Sequence, residues 1–245
     1  MTVLGRVKRL WRYPVSSLAG EPMSALAVGR GGADGDRLYG LVDAASGEVA
    51  APDRNAKWHP VPRIRTRLSA DGSLETLVPG GDWIVAPGPA CDRAISAFLG
   101  FEAAIRPFPA EGSSFPVGSF VLPRYEKAPV HLLTTASLAR LKALHPQGDP
   151  DPRRFRPTIL IDMPEVEGAF PESEWLGRRI AVGEVELTVS APCRRCGFTI
   201  IAQEGFDNDP GILRTLVRHN AHNIGVYCTV DRPGDVGLEA PLRFL

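Results

Sequence analysis

Apolar and polar residues alternate with a period of two along several short segments of the chain. Segment 184–190 is the clearest case, because Val185, Leu187 and Val189 alternate there with polar residues. This alternation is typical of a half-buried β-strand. Short apolar runs bounded by glycine or proline predict further strands at 38–42, 83–86, 158–161 and 225–230. The many short strands favour a barrel or a sandwich.

Three segments instead carry apolar residues at helical spacing. Asp92 is expected to cap a first helix that ends at Gly100. Either Thr134 or Thr135 is expected to cap a second helix, and Asp209 a third. The sequence therefore predicts a mainly β fold with a few helices, of the α+β class.

The segment from Pro107 to Pro129 is rich in proline, glycine and serine. We expect it to join an N-terminal β region to a C-terminal β barrel, with domains at 1–115 and 116–245. A chain of 245 residues is long enough for one large domain or two small ones. The sequence leaves open whether the two parts share one core.

The charges of the chain balance, with 28 lysines and arginines against 28 aspartates and glutamates. A net charge of zero gives no electrostatic reason to expect nucleic acid or an anionic membrane as a partner. No apolar run approaches the roughly 20 residues that a membrane span needs, and the first residues lack the apolar core of a signal peptide. Four cysteines are few for a disulfide-stabilised fold. We therefore expect a soluble, cytoplasmic protein.

The clearest candidate chemistry lies at Cys193 and Cys196, which are separated by Arg194 and Arg195. The strand pattern before them places the motif where a strand turns. Neighbouring guanidinium groups favour the thiolate, which is the form of cysteine that binds metals and attacks electrophiles. The alternative interpretation is a pair of small buried apolar residues, and the sequence leaves both open. Segment 197–201 looks extended, which disfavours a thioredoxin-like redox pair at a helix start.

A zinc site usually needs two close pairs of ligands. Cys193 and Cys196 form one pair, but the remaining candidates do not form a second. Those candidates are Cys91, Cys228, His219 and His222. No glycine-rich phosphate-binding loop is present. We interpret Glu172 and Glu174 as surface acids.

Arginines recur beside the predicted strand ends, and they are Arg37, Arg154, Arg156, Arg194 and Arg195. Guanidinium groups bind phosphate through paired hydrogen bonds. If the fold brings these arginines together, they could hold an anionic cofactor. Each one taken alone is also compatible with an ordinary solvated side chain.

A series of motifs resembles the MOSC domain family and its N-terminal β-barrel domain. Residues 13–20 read YPVSSLAG and are similar to the family's YPVKSxxG opening, and residues 35–37 resemble its "DR" strand. The later motifs follow in the family's order at 131–138, 154–157, 175–177, 193–199 and 225–227. The resemblance covers nearly the whole chain. It implies an N-terminal β-barrel-like domain packed on a C-terminal MOSC β-barrel.

The resemblance also implies a molybdenum cofactor, in which a pterin phosphate holds the metal through a dithiolene. Relatives include the mitochondrial amidoxime-reducing component and its bacterial counterparts, where the second cysteine of the motif binds molybdenum. That position is Cys196 here, as the implied metal ligand and catalytic residue. The implied cofactor-binding residues are Ser16, Ser17, Arg37, Thr134, Arg156, Thr158, Arg194 and Arg195.

The chain departs from the family pattern at four places. Ser16 stands where the family has lysine, which removes one cation, and Thr158 stands where asparagine is usual. Ile224 replaces an aromatic residue, and residues 239–240 replace a Gly-Asp pair. The first two differences concern cofactor placement, and the other two concern packing and turn geometry.

The function that the resemblance implies is a molybdenum-cofactor-dependent oxidoreductase that reduces N-hydroxylated or related oxidised small molecules. A separate electron donor of the ferredoxin or cytochrome type, with its reductase, would supply electrons. A sulfur carrier, or a carrier or sulfuration protein of the molybdenum cofactor, is the alternative use of the same cysteine. A structural module with both cysteines buried is the third hypothesis.

Overall fold

The computed structural model describes residues 2–109, 120–123 and 129–245, and β-strands dominate these ranges. The strands are β1 (Val3–Arg12), β2 (Glu21–Met23), β3 (Ala25–Gly29), β4 (Gly32–Ala33), β5 (Tyr39–Asp43), β6 (Arg65–Leu68), β7 (Leu74–Leu77), β8 (Trp83–Ala86), β9 (Ala103–Pro107), β10 (Val130–Thr134), β11 (Ile159–Asp162), β12 (Arg179–Val182), β13 (Val185–Arg194), β14 (Asn223–Arg232), β15 (Gly234–Gly237) and β16 (Pro241–Phe244). The α-helices are α1 (Pro89–Leu99), α2 (Thr135–Leu144) and α3 (Pro210–Asn220). Short 3₁₀ helices lie at Ala56–Trp58, Val61–Arg63, Pro152–Arg154, Pro171–Trp175 and Gly197–Ile200.

Seven strands form a closed barrel in the order β11-β10-β14-β13-β12-β16-β1, and β1 pairs back with β11. Within the barrel β10 and β11 are parallel, while the other neighbours are antiparallel. Val185, Leu187 and Val189 of β13 point into the barrel core, as their period of two predicts. The predicted fold class, mainly β with a few helices, is confirmed.

Strand β1 comes from the first residues of the chain but completes the barrel between two late strands. Arg6 pairs with Asp162 of β11 on one side and with Pro241 of β16 on the other. Strand β15 likewise pairs with β3. The predicted division into 1–115 and 116–245 falls in residues 110–119, outside the described residues, and it stays a prediction.

The rest of the first hundred residues forms smaller sheets around a second apolar core. Strands β6, β7 and β8 form one antiparallel sheet, and β5 pairs with β9. Trp58, Ile64, Ile95 and Ile105 are buried at the centre of this second core. The core packs helix α1 against the sheets, which fixes the loop that carries residues 52 and 53 beside the barrel.

Helix α1 ends as predicted but begins earlier than the sequence suggests. Gly100 adopts a φ of 79°, the left-handed conformation that commonly ends helices. The prediction that Asp92 caps the helix is wrong, because Pro89 already starts it. The Asp92 carboxylate lies in the first turn and accepts hydrogen bonds from Ile105 N at 3.2 Å and Arg106 Nη1 at 3.1 Å. Asp92 therefore ties the helix to β9.

The predicted starts of α2 and α3 are confirmed. Thr134 caps α2, since its hydroxyl accepts a hydrogen bond from Ser137 N at 3.1 Å. Asp209 caps α3 by accepting from Gly211 N at 2.8 Å. Across the described part of the chain, no helix combines the length and apolar character needed to cross a membrane.

Candidate functional site

A cleft opens beside one end of the barrel, where β13 turns and the loops before β5 and β11 meet it. Seven of the nine predicted site residues line this cleft. They are Ser16, Ser17, Arg37, Arg156, Arg194, Arg195 and Cys196. Arg154, which the sequence also singled out, lines it as well. The fold therefore brings the arginines and the cysteine motif together, although Arg37 and Cys196 are 159 residues apart in the sequence.

The other two predicted site residues, Thr134 and Thr158, are buried away from the cleft lining. The Thr134 hydroxyl donates to Glu172 Oε2 at 2.7 Å while it caps α2. The Thr158 hydroxyl accepts from His131 N at 3.3 Å. The structure gives both hydroxyls partners inside the protein, and a cofactor contact for either stays a prediction.

The two cysteines of the motif lie in opposite surroundings. Cys196 is exposed and lines the cleft, whereas Cys193 is fully buried. Burial raises the pKa of the Cys193 thiol. Of the four cysteines, which the structure describes in full, Cys196 alone is exposed. The interpretation as two buried apolar residues therefore applies to Cys193 and not to Cys196.

The backbone after Cys196 forms a tight turn instead of the expected extended segment. The prediction for 197–201 is wrong, because Gly197–Ile200 forms a 3₁₀ helix. Both N and Oγ1 of Thr199 donate to the carbonyl oxygen of Cys196, at 3.2 Å and 3.0 Å. The apolar residues 198–201 resemble a strand in sequence, but these local hydrogen bonds decide the conformation. The turn holds Cys196 at the corner where β13 ends.

Among the described residues, six that are not glycine have a positive φ, and three of them line the cleft. Ser17, Arg37 and Arg156 have φ angles of 69°, 51° and 53°. Left-handed conformations are uncommon for residues other than glycine, and each costs of order 1 kcal/mol or more. Hydrogen bonds hold two of them, from Arg37 N to Tyr13 O at 2.8 Å and between His131 Nδ1 and Arg156 O at 3.2 Å. Such strain clusters at functional sites, which marks this cleft as one.

Arg156 has a buried guanidinium nitrogen that no group in the described part of the protein satisfies. Its Nη1 donates to Leu18 O, but Nη2 is buried without a hydrogen-bond partner among the described residues. The guanidinium carbon lies 4.1 Å from the centre of the Tyr13 ring and 5.4 Å from that of Phe198. Burial lowers the pKa of Arg156 to about 10, so the group remains charged at neutral pH. An anion in the cleft could supply the missing acceptor.

The other arginines of the cleft differ in how firmly they are held. Arg37 forms an ion pair with the buried carboxylate of Asp36. Arg195 donates to Phe155 O at 2.7 Å and also contacts the Cys193 sulfur. Arg194 is exposed at the cleft. Asp53 also lines the cleft, but the five arginines there outnumber the carboxylates of Asp53 and Asp36. The excess of positive charge favours an anionic ligand.

Several residues of the cleft were not assigned a role from the sequence, and His131 and Tyr227 are two of them. His131 follows Val130 and precedes two leucines in β10, and its burial next to Arg195 could not be predicted from one sequence. Burial raises the pKa of Tyr227 to about 12, so its phenol stays protonated. The signal that could have identified His131 is a single polar residue within the apolar run 130–133.

The interpretation of Glu172 as a surface acid is wrong. Its exposed fraction is 0 %, and the carboxylate accepts hydrogen bonds from Ser137 Oγ at 2.6 Å, Thr134 Oγ1 at 2.7 Å and Gly225 N at 3.1 Å. Its neighbour Glu174 is exposed, as predicted. Glu172 therefore ties the start of α2 to β14 beneath the cleft.

We expect Glu172→Gln to gain stability relative to the unchanged protein as the pH rises. Burial raises the pKa of Glu172 above its ordinary value of 4.5. The folded state thus binds the proton of Glu172 more tightly than the unfolded state does. The stabilisation from this bound proton is complete below pH 4.5 and is lost as the pH rises through the pKa of the folded state. The loss is about 1.4 kcal/mol for each unit by which the pKa is raised.

Urea denaturation at pH 4, 6 and 8 measures this difference in the free energy of unfolding. Glu174→Gln is the matched control, because Glu174 lies on the same 3₁₀ helix but is exposed. A constant difference between Glu172→Gln and the unchanged protein across these pH values contradicts the prediction.

A metal site built from side chains alone requires several ligating groups close together. Within residues 2–109, 120–123 and 129–245, no group of three or more histidines, cysteines, aspartates or glutamates is arranged to hold a metal ion. A metal in the cleft would therefore receive the Cys196 sulfur and would need its remaining ligands from a bound cofactor. The donor set is one soft sulfur ligand with nearby cations, which suits a metal carried by an anionic organic group.

Solved structures that match this chain share little sequence with it. The YUAD protein from Bacillus subtilis has 15% identity and a TM-score of 0.47, over 97% of this chain and 93% of that chain. YiiM from Escherichia coli has 18% identity and a TM-score of 0.34, over 48% of this chain and 54% of that chain. No curated protein matches the chain in sequence. Similarity at this level carries no argument about activity.

Two family models match the chain in succession. The MOSC N-terminal beta barrel domain matches residues 4–105, and the MOSC domain matches residues 112–243. MOSC domains are associated with proteins that bind the molybdenum cofactor. The MOSC model alone covers more than half of the 245 residues, and this chain therefore belongs to the MOSC domain family.

Proposed function

We propose that this protein binds a molybdenum cofactor in the cleft and reduces N-hydroxylated or related oxidised small molecules. The observation that carries the proposal is the exposed thiol of Cys196 in the same cleft as Arg37, Arg156, Arg194 and Arg195. A single soft ligand beside several cations matches a cofactor whose metal is soft and whose pterin tail is a phosphate.

The residues of the cleft fit such a cofactor. The unpaired Nη2 of Arg156 needs an acceptor, and a phosphate oxygen is a suitable one. The hydroxyls of Ser16 and Ser17 line the same cleft and can donate to further phosphate oxygens. Ser16 lacks the charge of the family's lysine, but four arginines remain to balance the phosphate. The fit therefore does not depend on residue 16.

Each group of the chain has a distinct part in the proposed reaction. Cys196 holds the metal, while Arg37, Arg156, Arg194 and Arg195 bind and orient the pterin phosphate. The cofactor, when bound, supplies the two-electron chemistry that removes oxygen from the substrate. The overall reaction takes an N-hydroxyl compound, two electrons and two protons to the reduced nitrogen compound and water. The protein supplies position and electrostatic stabilisation.

A separate protein must deliver the electrons in this proposal. A small electron carrier of the ferredoxin or cytochrome type, together with its reductase, is the partner we propose, and the cytoplasm is the proposed location. The exposed position of Cys196 at the open cleft supports delivery from outside, since the metal would lie near the surface. The small-molecule substrate would enter through the same opening.

Metal analysis of the purified full chain tests the proposal. After expression in a host with ample molybdenum, we expect about one molybdenum per chain, with a matching amount of pterin detected by fluorescence after oxidation. A host unable to make the cofactor provides the control and should yield protein without either. Protein that lacks both molybdenum and pterin in the replete host counts against the proposal.

A second candidate function uses the same exposed thiol. Cys196 is exposed and could accept the outer sulfur of a persulfide carried by a desulfurase. Its sulfur would attack that outer sulfur, the S–S bond of the donor would break, and the desulfurase cysteine would leave as a thiolate. Incubation with a cysteine desulfurase followed by mass spectrometry distinguishes the two. A gain of one sulfur on Cys196 in protein without molybdenum favours the carrier, and an unmodified thiol excludes it.

A further inference from the structure

His131 connects two arginines of the cleft through its two ring nitrogens. The residue lies in β10 and is 4 % exposed. Its Nδ1 is 3.2 Å from the carbonyl oxygen of Arg156, and its Nε2 is 3.0 Å from Nη2 of Arg195. Both arginines line the cleft. One imidazole thus contacts the backbone of the first and the guanidinium of the second.

The chemistry of these two partners indicates one protonation state of the ring, which also has a backbone hydrogen bond with Ile224. A carbonyl oxygen only accepts, so Nδ1 must carry a hydrogen to bond with Arg156. A guanidinium only donates, so Nε2 must be without hydrogen to accept from Arg195. Burial, together with the charge of Arg195, lowers the pKa of His131 well below its ordinary value, which agrees with a neutral ring.

The neighbouring residues hold the imidazole in this orientation. Gly225 has a φ of 76°, and a side chain there would overlap Nε2 of His131 and approach Leu132 O to 2.9 Å. The ring of Tyr227 lies edge-on, with 5.7 Å between the ring centres. The ring therefore has little freedom to turn, and its two hydrogen bonds point in fixed directions.

Each of the two hydrogen bonds acts on a group that faces the cleft. The bond from Nδ1 holds the carbonyl of Arg156, whose φ of 53° is one of the strained values at the site. The bond to Nε2 fixes the guanidinium of Arg195, whose Nη1 donates to Phe155 O at 2.7 Å. A guanidinium that is already oriented loses less entropy when it binds an anion.

We propose that His131 is a positioning residue: its neutral ring, with hydrogen on Nδ1, sets the backbone of Arg156 and the guanidinium of Arg195 and thereby the affinity of the cleft for a phosphate group. The identity of that phosphate as part of a cofactor rests on the proposed function. The affinity for phosphate itself does not.

Two substitutions separate the two hydrogen bonds. His131→Asn keeps a donor where Nδ1 lies, and His131→Gln keeps an acceptor near Nε2. Inorganic phosphate is the probe, titrated calorimetrically into the full chain prepared without cofactor. We expect each variant to bind phosphate about tenfold more weakly, which corresponds to about 1.4 kcal/mol. His59→Gln is the control, because His59 is exposed and does not line the cleft, and it should bind as the unchanged protein does.

A double-mutant cycle distinguishes positioning from a general loss of structure. If His131 acts through Arg195, then His131→Asn has no further effect on phosphate affinity once Arg195 is replaced by glutamine. Nitrogen NMR of the ring gives an independent readout, with hydrogen expected on Nδ1 and none on Nε2 between pH 5.5 and 8. Thermal unfolding of each variant checks that it is folded under the titration conditions.

Several results would overturn the proposal. The first is a phosphate affinity of both variants within twofold of that of the unchanged protein, and the second is an effect of His131→Asn that stays undiminished when Arg195 is already replaced. The third is a hydrogen on Nε2 of His131, and the fourth is no binding of phosphate by the unchanged protein. Molybdenum content is measured separately. Protein without molybdenum whose phosphate affinity depends on His131 contradicts the proposed function and supports the positioning role.

Discussion

Replacing Cys196 by serine is expected to leave the purified protein without molybdenum. The thiol of Cys196 is the exposed sulfur of the cleft, and a serine hydroxyl is a harder and far less acidic ligand than a thiol. Within residues 2–109, 120–123 and 129–245, no group of three or more metal-ligating side chains offers an alternative site. The expected loss of metal is complete, with a parallel loss of any reductase activity.

The matched control for this substitution is Cys91→Ala. Cys91 is buried in α1, away from the cleft lining, so its replacement should leave the molybdenum content unchanged. Elemental analysis of both variants, purified from the same molybdenum-replete host, gives the comparison. Cys196→Ser protein that retains as much molybdenum as the unchanged protein would show that this sulfur is not the ligand.

Replacing Arg154 by methionine is expected to destabilise the protein by about 3 kcal/mol or more. Arg154 is 1 % exposed and donates to three backbone carbonyls, those of Asp149 at 2.8 Å, Asp207 at 2.7 Å and Thr199 at 3.3 Å. Methionine fills a similar volume but leaves these carbonyls without their donor. Hydrogen bonds from a charged group contribute about 1.5–3 kcal/mol each. The carbonyl of the buried residue Thr199 would lose its partner altogether, whereas Asp149 and Asp207 are exposed and their carbonyls can bind water instead.

Arg153→Met is the control for Arg154→Met. Arg153 is the adjacent residue, but its side chain is about half exposed, at 41%, and it pairs with Asp151 at the surface. Removal of such a pair is expected to cost less than about 1 kcal/mol. Chemical denaturation of both variants measures the difference, and equal losses of stability contradict a special role of Arg154. Because Arg154 binds the carbonyl of Thr199, the Cys196 turn should also become less protected from hydrogen exchange.

The regular parts of the fold could be predicted because their signals are local. All five predicted strands are present, and β13 and β14 are longer than the apolar runs that marked them. Thr134 and Asp209 were recognisable as caps because a capping side chain bonds to backbone only two or three residues away. The left-handed end of α1 at Gly100 follows from the conformational freedom of glycine.

The features that sequence reasoning missed depend on partners far away in the chain. Glu172 is buried because Thr134, Ser137 and Gly225 supply its hydrogen bonds, and these come from segments more than 30 residues away on either side. Asp92 was mistaken for a cap because its true partners lie on β9. Helix and strand propensities depend on residues close together in the sequence. They therefore cannot reveal contacts between segments that are far apart in the chain.

The candidate site was predicted as a set of residues but not as a geometry. The motifs identified Cys196 and the arginines. The sequence could not show that Cys193 is buried and Cys196 exposed, because the two residues are only three positions apart. That difference arises because β13 ends between them, at the turn after Arg194. The role of His131 likewise depends on the three-dimensional meeting of β10 with the Arg156 and Arg195 segments.

The placement of β1 between β11 and β16 has a consequence for how the molecule is assembled on the ribosome. Val7 and Leu10, which leave the exit tunnel among the first residues, belong to a core whose last member, Leu242, is made near the end of translation. The ring of strands can close only after synthesis is almost finished, and such distant pairings form slowly. During translation the apolar first strand must therefore be kept from contacts with other chains. After the barrel has closed, a protease that cuts between Pro107 and Val130 would leave two fragments that stay associated through the pairing of β1 with β11 and β16.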